Sequence, residues 1–185
     1  MGPKITVDSA TLANKGLEVI EAALLFGFPS EKIKVAIHPQ SIVHSMIRLK
    51  DGAVYAQMSK PDMRLPIHEA LSWPATEYSP FGVLDFTSLS LTFEKPDLEK
   101  FPMLALAYRS LSGGQFLSIA YNAANETAVE AFLKGKIKFL EIPRIVGYVL
   151  DNSIDSGESL GSVEAILAAD SEARKIAEDL VGSKK

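Results

Sequence analysis

The feature that most constrains the fold is a run of four helical patterns that follows Asp97 and continues almost to the C-terminus. Glycines stop the first two patterns, at Gly113-Gly114 and at Gly135, as is typical of helix ends. Pro143 lies near the first turn of the third pattern, where the N–H that proline lacks would have no helical partner. Four helices joined by short connections predict a small bundle.

The N-terminal part of the chain mixes strand and helix signals. The run "KITVD" (residues 4–8) is rich in β-branched residues and predicts a short strand. From Thr11 to Phe26 the apolar spacing predicts an amphipathic helix that ends at Gly27, with Leu24 on its apolar side. "KVAIH" (34–38) predicts a second strand.

A hairpin and a short helix are expected next. "SIVHSMIRLK" and "AVYAQMS" flank Asp51-Gly52, a pair that supplies the positive φ angles of a tight turn. Asp62 can cap a helix that stops before Trp73-Pro74, because the residue before a proline avoids helical geometry. The fold class that we predict is α+β, a small mixed sheet with helices followed by a C-terminal helical bundle.

Residues 74–96 have the composition of an ordered crossover. Pro, Ser and Thr punctuate this segment, and its apolar pieces are short. The sequence therefore predicts three regions, a first domain over 1–73, a linker over 74–96 and a helical bundle over 97–185.

Composition excludes several classes of partner. A net charge of -4 and a pI near 5.4 leave no basic surface for nucleic acid. No apolar run approaches the roughly 20 residues that span a bilayer, so we expect no membrane partner and a cytoplasmic location. Since cysteine is absent, a metal would need Asp, Glu or His ligands.

Candidate chemistry concentrates in "DSATLANKGLEVIEAA" (8–23). Asn14 and Glu18, four residues apart, share a helix face, and Lys15 lies beside them. If a strand gives way to a helix at Ser9 and Thr11, hydroxyls and free N–H groups meet there and suit an anion. The stretch alone favours the simpler interpretation, a solvated amphipathic helix with a routine cap.

Histidine and asparagine side chains also have ordinary interpretations. His44 could be a hydrogen-bonded imidazole on a strand face, and His38 could bond the backbone at a strand end. His68 is expected on a helix surface, and Asn125 in "NAANE" could make a hydrogen bond between helices.

Whole strings shift the balance toward a specific site. "VDSATLANKGLEVIEA", "IHPQSIVHSMI", "DGAVYAQMSKPDMRLPI", "LTFEKPDLEKFPMLALAY" and "NAANETAVEAFL" occur in this order. Over residues 2–150 the chain resembles the C-terminal half of the 1-deoxy-D-xylulose 5-phosphate reductoisomerase family. The resemblance implies an oxidoreductase and isomerase of the non-mevalonate isoprenoid pathway. An enzyme of this family would rearrange 1-deoxy-D-xylulose 5-phosphate and reduce the rearranged intermediate with NADPH. The product would be 2-C-methyl-D-erythritol 4-phosphate, and the reaction would need bound Mg or Mn.

The resemblance also implies roles for individual residues. The residues that would bind substrate are Ser9, Asn14, Lys15, Ser41 and His44. The nicotinamide ring would lie near Pro61 and Met63. Glu18 would be a metal ligand, and Glu21 matches an acidic position near the metal. The catalytic set would be Lys15, Glu18 and His44.

One departure from the family pattern limits these roles. The sequence has no G-x-G-x-x-G turn, so we expect the N-terminal dinucleotide-binding domain to be missing here. The resemblance implies that two further metal ligands, which the family carries in an acidic motif, are missing as well. We therefore expect a truncated chain that is inactive alone, forms a homodimer as the family does, and needs a complementary N-terminal half. The alternatives are a stand-alone phosphate-binding module and a dimer-forming module without catalysis. A plastid location is open if a targeting segment has been lost.

Overall fold

The computed structural model describes residues 2–153 and 160–183. Over this part of the chain it has seven α-helices, a 3-10 turn at Ser30–Lys32 and one hairpin. The helices and strands are α1 (Pro3–Thr11), α2 (Ala13–Phe26), β1 (Val43–Arg48), β2 (Val54–Met58), α3 (Arg64–Ser72), α4 (Pro102–Ser112), α5 (Gln115–Leu133), α6 (Glu141–Asn152) and α7 (Val163–Gly182). Helices with a small sheet confirm the predicted fold class, and the sheet is a two-stranded antiparallel pair.

The chain groups into two compact units. One combines Met1–Val35 with Pro96–Lys185, and the other is Ala36–Lys95. These bounds differ from the predicted regions 1–73, 74–96 and 97–185, because α1 and α2 pack against α4 and α5 within the first unit. Long-range packing of this kind leaves no mark in local composition.

The helical unit is built around α5, which packs against α4, α6 and α7 as well as α1. Alanines on facing sides of α5 and α7 let the two backbones approach closely, while branched side chains of α6 fill the space beside them. The four C-terminal helices confirm the predicted bundle segments. Buried core residues include Met103, Leu104, Ala120, Tyr121, Ala124, Ala128, Ile142, Ile145, Val149, Ala173 and Ala177.

The predicted strand at residues 4–8 is wrong, because these residues form the middle of α1. Pro3 opens the helix, Lys4 pairs with Asp8 one turn later, and Val7, Asp8 and Thr11 are buried on one face. Packing of that face overrides the β preference of the sequence. Leu12, at φ 61°, separates α1 from α2.

The helix predicted over 11–26 is confirmed with a later start, at Ala13, and it ends at Gly27 with φ 67°. Its buried face differs in part from the prediction. Gly16, Val19 and Ile20 are buried, whereas Leu24 is 57% exposed. The buried face therefore belongs to about the first two turns of the helix, from Ala13 to Ile20.

The second unit contains the predicted hairpin, with Val43 opposite Met58 and a bulge between Val43 and Ser45. Of the turn residues Asp51 and Gly52, only Gly52 has a positive φ, 93°. The strand predicted at 34–38 is reduced to one bridge between Ile37 and Glu94, since no neighbouring strand extends the pairing.

Helix α3 confirms the prediction for the segment between Asp62 and Trp73. The Asp62 carboxylate accepts a hydrogen bond from the Arg64 N–H at 3.0 Å, and Trp73 is already extended at ψ 136°. No residue of 36–95 is buried. Among the helices in the described ranges, none is long and apolar enough to cross a membrane.

Candidate functional site

The junction between α1 and α2 carries the first predicted ligands. Ser9 lies in the last turn of α1, so its predicted place between a strand and a helix is wrong. Its hydroxyl is exposed and donates to the Ile5 carbonyl at 2.7 Å, and its own carbonyl accepts from the Leu12 N–H at 3.3 Å. The hydroxyl would have to rotate away from Ile5 to donate to an anion.

Thr11 ends α1 and directly precedes Leu12, the N-cap residue of α2, which makes no side-chain cap hydrogen bond. Its buried hydroxyl oxygen accepts from the Ala13 N–H at 3.2 Å and donates to the Asp8 carbonyl at 3.3 Å. One of the free N–H groups at the start of α2 is thereby satisfied within the protein. Thr11 is therefore not the N-cap that the ordinary interpretation expected, although its hydroxyl binds the Ala13 N–H.

Asn14, Lys15 and Glu18 come together on the first turns of α2. The Asn14 amide donates to one carboxylate oxygen of Glu18 at 2.7 Å, and the Lys15 ammonium donates to the other at 2.5 Å. Both side chains of the ion pair are open to solvent, 39% for Lys15 and 45% for Glu18. Each contact is a helix-surface pair that contributes only about 0.2–0.5 kcal/mol, so a ligand can displace it readily.

Glu18 has the chemistry of one ligand to a hard cation rather than of a complete site. Mg and Mn prefer carboxylate oxygens, and this carboxylate is exposed. In the part of the chain that the structure describes, no group of three His, Asp or Glu side chains could hold a metal ion. Glu18 therefore fits a divalent metal only as a member of a larger ligand set.

Helix α1 carries a polar cluster that the sequence analysis missed. Asp8 is 1% exposed, and the two oxygens of its carboxylate accept hydrogen bonds from Asn125 at 2.9 Å and from Lys4 at 2.6 Å. Asn125 is fully buried on α5, so its expected role in a hydrogen bond between helices is confirmed. The Lys4 to Asp8 spacing of four was the available signal, but it carries meaning only if residues 3–11 are helical.

A second contact fixes α2 next to this cluster. The Tyr121 hydroxyl donates to the Met103 carbonyl at 3.1 Å, and a side chain at Gly16 would bring its Cβ to 2.7 Å from that hydroxyl. Burial raises the pKa of Tyr121 above its ordinary value, and the negative charge of Asp8 adds to this. Tyr121 and Asn125 lie one turn apart on α5, so the same helix face holds both α1 and α2.

The remaining predicted ligands belong to the second unit. A ring nitrogen of His44 is hydrogen-bonded to the Ser59 hydroxyl at 3.0 Å. Ser41 is exposed, has a φ of 51°, and donates its N–H to the His38 carbonyl. Pro61 is exposed and lines an open groove with residues such as Ile42 and Leu84, and Met63 is 74% exposed. His44, Ser41, Pro61 and Met63 are thus accessible to a ligand.

Three other titratable groups of the second unit, His38, Asp62 and His68, have structural partners. His38 accepts or donates at the Thr92 carbonyl through Nδ1, at 2.8 Å, and stacks on Phe93, which confirms the expected bond to the backbone. Hydrogen bonds from the Arg64 side chain, then from its N–H, lower the pKa of Asp62 to about 2. His68, expected on a helix surface, is half-buried with its ring edge-on to Phe81.

Two family models match the chain. One, described as the DXP reductoisomerase C-terminal domain, matches residues 58–176, and the other, described as the 1-deoxy-D-xylulose 5-phosphate reductoisomerase C-terminal domain, matches residues 1–26. The reductoisomerase of Trichlorobacter lovleyi is 53% identical over 181 residues, which are 97% of this chain and 46% of the relative. That of Cupriavidus metallidurans is 54% identical over 99% of this chain and 46% of the relative.

Solved structures agree with these matches. The Zymomonas mobilis reductoisomerase in complex with NADPH has a TM-score of 0.90 at 47% identity, over 96% of this chain and 47% of that one. A reductoisomerase in complex with NADPH, fosmidomycin and magnesium has a TM-score of 0.91 at 45% identity, over 98% and 47%. The chain thus spans about half the length of its relatives. This chain belongs to the 1-deoxy-D-xylulose 5-phosphate reductoisomerase family.

Proposed function

We propose that this chain supplies substrate and metal ligands to a 1-deoxy-D-xylulose 5-phosphate reductoisomerase, which forms 2-C-methyl-D-erythritol 4-phosphate with NADPH for isoprenoid synthesis. The observation that carries the proposal is the group of Asn14, Lys15 and Glu18 on α2. It supplies an amide, an ammonium and a carboxylate within two helical turns, in a chain about half identical to reductoisomerases over nearly its whole length.

Each residue of α1 and α2 has a role that fits its chemistry. Ser9 and Asn14 would donate hydrogen bonds to the substrate phosphate, and Lys15 would bind substrate hydroxyls nearby. Glu18 would contribute one oxygen to Mg or Mn, which when bound polarises the neighbouring substrate oxygens as a Lewis acid. Binding of the cation would displace Lys15 from Glu18 and leave its ammonium free to donate to substrate.

Residues of the second unit would supply substrate and cofactor contacts of their own. Ser41 and His44 would line the substrate pocket, and the exposed Pro61 and Met63 would lie against the nicotinamide ring. His44 keeps its ring oriented through Ser59, so one imidazole nitrogen is held by the protein.

The chain by itself is proposed to be inactive. A single carboxylate binds a hard cation weakly, and hydride transfer needs a bound cofactor. An N-terminal half that supplies the cofactor domain and further carboxylates would restore activity, in a cytoplasmic homodimer. The competing candidate is a module that binds phosphate or forms dimers without catalysis.

The test is an assay of NADPH oxidation with 1-deoxyxylulose 5-phosphate and Mg or Mn. The chain is assayed alone and after mixing with a separately produced N-terminal half of a relative. We expect activity only in the mixture, abolished by Glu18→Gln and unchanged by Glu172→Gln, a matched change at an exposed position of α7. Activity of the chain alone would overturn the proposed dependence on a second half. Phosphate binding without turnover in the mixture would favour the binding module.

A further inference from the structure

The buried pair of Asp8 and Asn125 joins the helix that carries Ser9 to the centre of the helical bundle. The side chains meet at 2.9 Å although 117 residues separate them in sequence, and both are almost fully buried. A buried carboxylate is expensive unless it is hydrogen-bonded, and two apolar residues would join the helices with less desolvation. Directional hydrogen bonds fix an orientation that apolar packing leaves free.

What the pair orients is the α1–α2 junction. Ser9 follows Asp8 directly, and the chain then reverses its local conformation at Leu12, a non-glycine residue at φ 61°. Such a conformation persists only where the surroundings impose it. On the far side of Leu12, Gly16 meets Tyr121 so closely that a Cβ would be 2.7 Å from its hydroxyl. Residues 9–15 are thus held between two contacts with one face of α5.

We propose that Asp8 and Asn125 are positioning residues for the phosphate end of the substrate site. They act through the backbone of residues 9–15 and set the distance between the Ser9 hydroxyl and the Asn14 amide. The inference rests on the proposed function, since it assigns a purpose to the rigidity of a segment that would bind phosphate. Lys4 closes the cluster on the solvent side through the second oxygen of Asp8.

The test compares Asn125→Ala with core variants of α6, Ile145→Val and Ile145→Ala, which bracket its loss of thermal stability without touching the junction. Amide hydrogen exchange of the folded chain is measured first. We expect faster exchange at residues 9–16 in Asn125→Ala and no selective change there in the α6 variants. Unchanged exchange at the junction overturns the inference, and this measurement requires no catalytic activity.

Kinetics of the mixture with the N-terminal half are measured next. Misplacing a phosphate ligand by about 1 Å should raise KM for the phosphorylated substrate by roughly ten- to a hundredfold, with a much smaller change in kcat. The double variant Asp8→Asn with Asn125→Asp swaps the two side chains and restores the hydrogen bond between them. Its KM should fall most of the way back to the value of the parent chain. A KM that follows thermal stability alone, equally in the α6 variants, overturns the inference while the proposed function stands.

A further outcome distinguishes failure of the proposed function from failure of the inference. If the parent chain mixed with the N-terminal half is inactive, the proposed function is refuted, and the exchange data still decide whether Asn125 holds the junction. Should Asn125→Ala fail to fold, Asp8→Leu takes its place, because leucine has nearly the same branched shape as aspartate but removes both oxygens that accept hydrogen bonds from Lys4 and Asn125. The same selective exchange and the same KM split are expected, and their absence is contrary to the inference.

Discussion

Replacement of Gly16 by alanine tests the close approach of α2 to α5. The added Cβ would lie 2.7 Å from both the Tyr121 hydroxyl and the Ala107 Cβ, and all three residues are buried. Overpacking of this kind costs about 1–3 kcal/mol. Displacing the Tyr121 hydroxyl from the Met103 carbonyl adds about 1 kcal/mol, and the better helix propensity of alanine returns about 1 kcal/mol.

The net expectation for Gly16→Ala is a loss of about 1–3 kcal/mol in the free energy of unfolding. For a chain of this length that is a fall of roughly 3–10 °C in Tm. The matched control is Gly147→Ala on α6, where the nearest atom to the new Cβ is a Leu106 methyl at an ordinary 3.8 Å. Helix propensity alone then predicts a gain of about 0.5–1 kcal/mol.

The assay is urea and thermal unfolding followed by circular dichroism, for both variants and the parent chain. A second arm combines Gly16→Ala with Tyr121→Phe, which removes one of the two atoms that the Cβ would strike. The combined variant should be more stable than the sum of the single effects indicates. A Gly16→Ala chain as stable as Gly147→Ala would refute the close packing of Gly16 against Tyr121 and Ala107.

Three further predictions concern charged and titratable groups. Because the pKa of Tyr121 is raised in the folded state, its contribution to the free energy of unfolding should be fully present below pH 10.0, the ordinary pKa of tyrosine. That contribution should be lost as the pH rises above this value, and Tyr121→Phe should reduce the alkaline loss of stability measured by unfolding at a series of pH values. The Asp62 carboxyl should titrate near pH 2 by NMR, and Arg64→Gln should move the midpoint up toward 3.8; an unmoved midpoint would contradict the assigned cause. Arg174 links the carboxylates of Glu126 on α5 and Asp170 on α7, and Arg174→Leu should lower the free energy of unfolding by roughly 1 kcal/mol. A loss that does not shrink in high salt would argue against an ionic cause.

The helices of the bundle could be predicted because their signals are local. Apolar spacing and the stops at Gly113 and Gly135 define α4 and α5 without reference to other parts of the chain. The hairpin was equally accessible through Asp51-Gly52. Helix α1 was not, since three of its central residues are β-branched and its helical state depends on packing against α5.

In the candidate site, too, the local contacts could be predicted from the sequence and the long-range contact could not. Contacts between Asn14, Lys15 and Glu18 follow from helical spacing of three and four, so the sequence was sufficient to predict them. The hydrogen bond between Asp8 and Asn125 could not be predicted, because nothing local marks two residues 117 positions apart as partners. The exposed Leu24 shows the same limit, since amphipathic spacing does not say how far along a helix its partners reach.

The separation between Asp8 and Asn125 has a consequence for biosynthesis. At 5–20 residues per second, the ribosome needs roughly 6–23 s after adding Asp8 before it adds Asn125. During that interval "KITVD" lacks the partner that makes it helical and retains its preference for extended conformation. The nascent segment is therefore open to strand-like association with other chains until α5 is made, and early capture by a chaperone would benefit this segment more than any helix of the bundle.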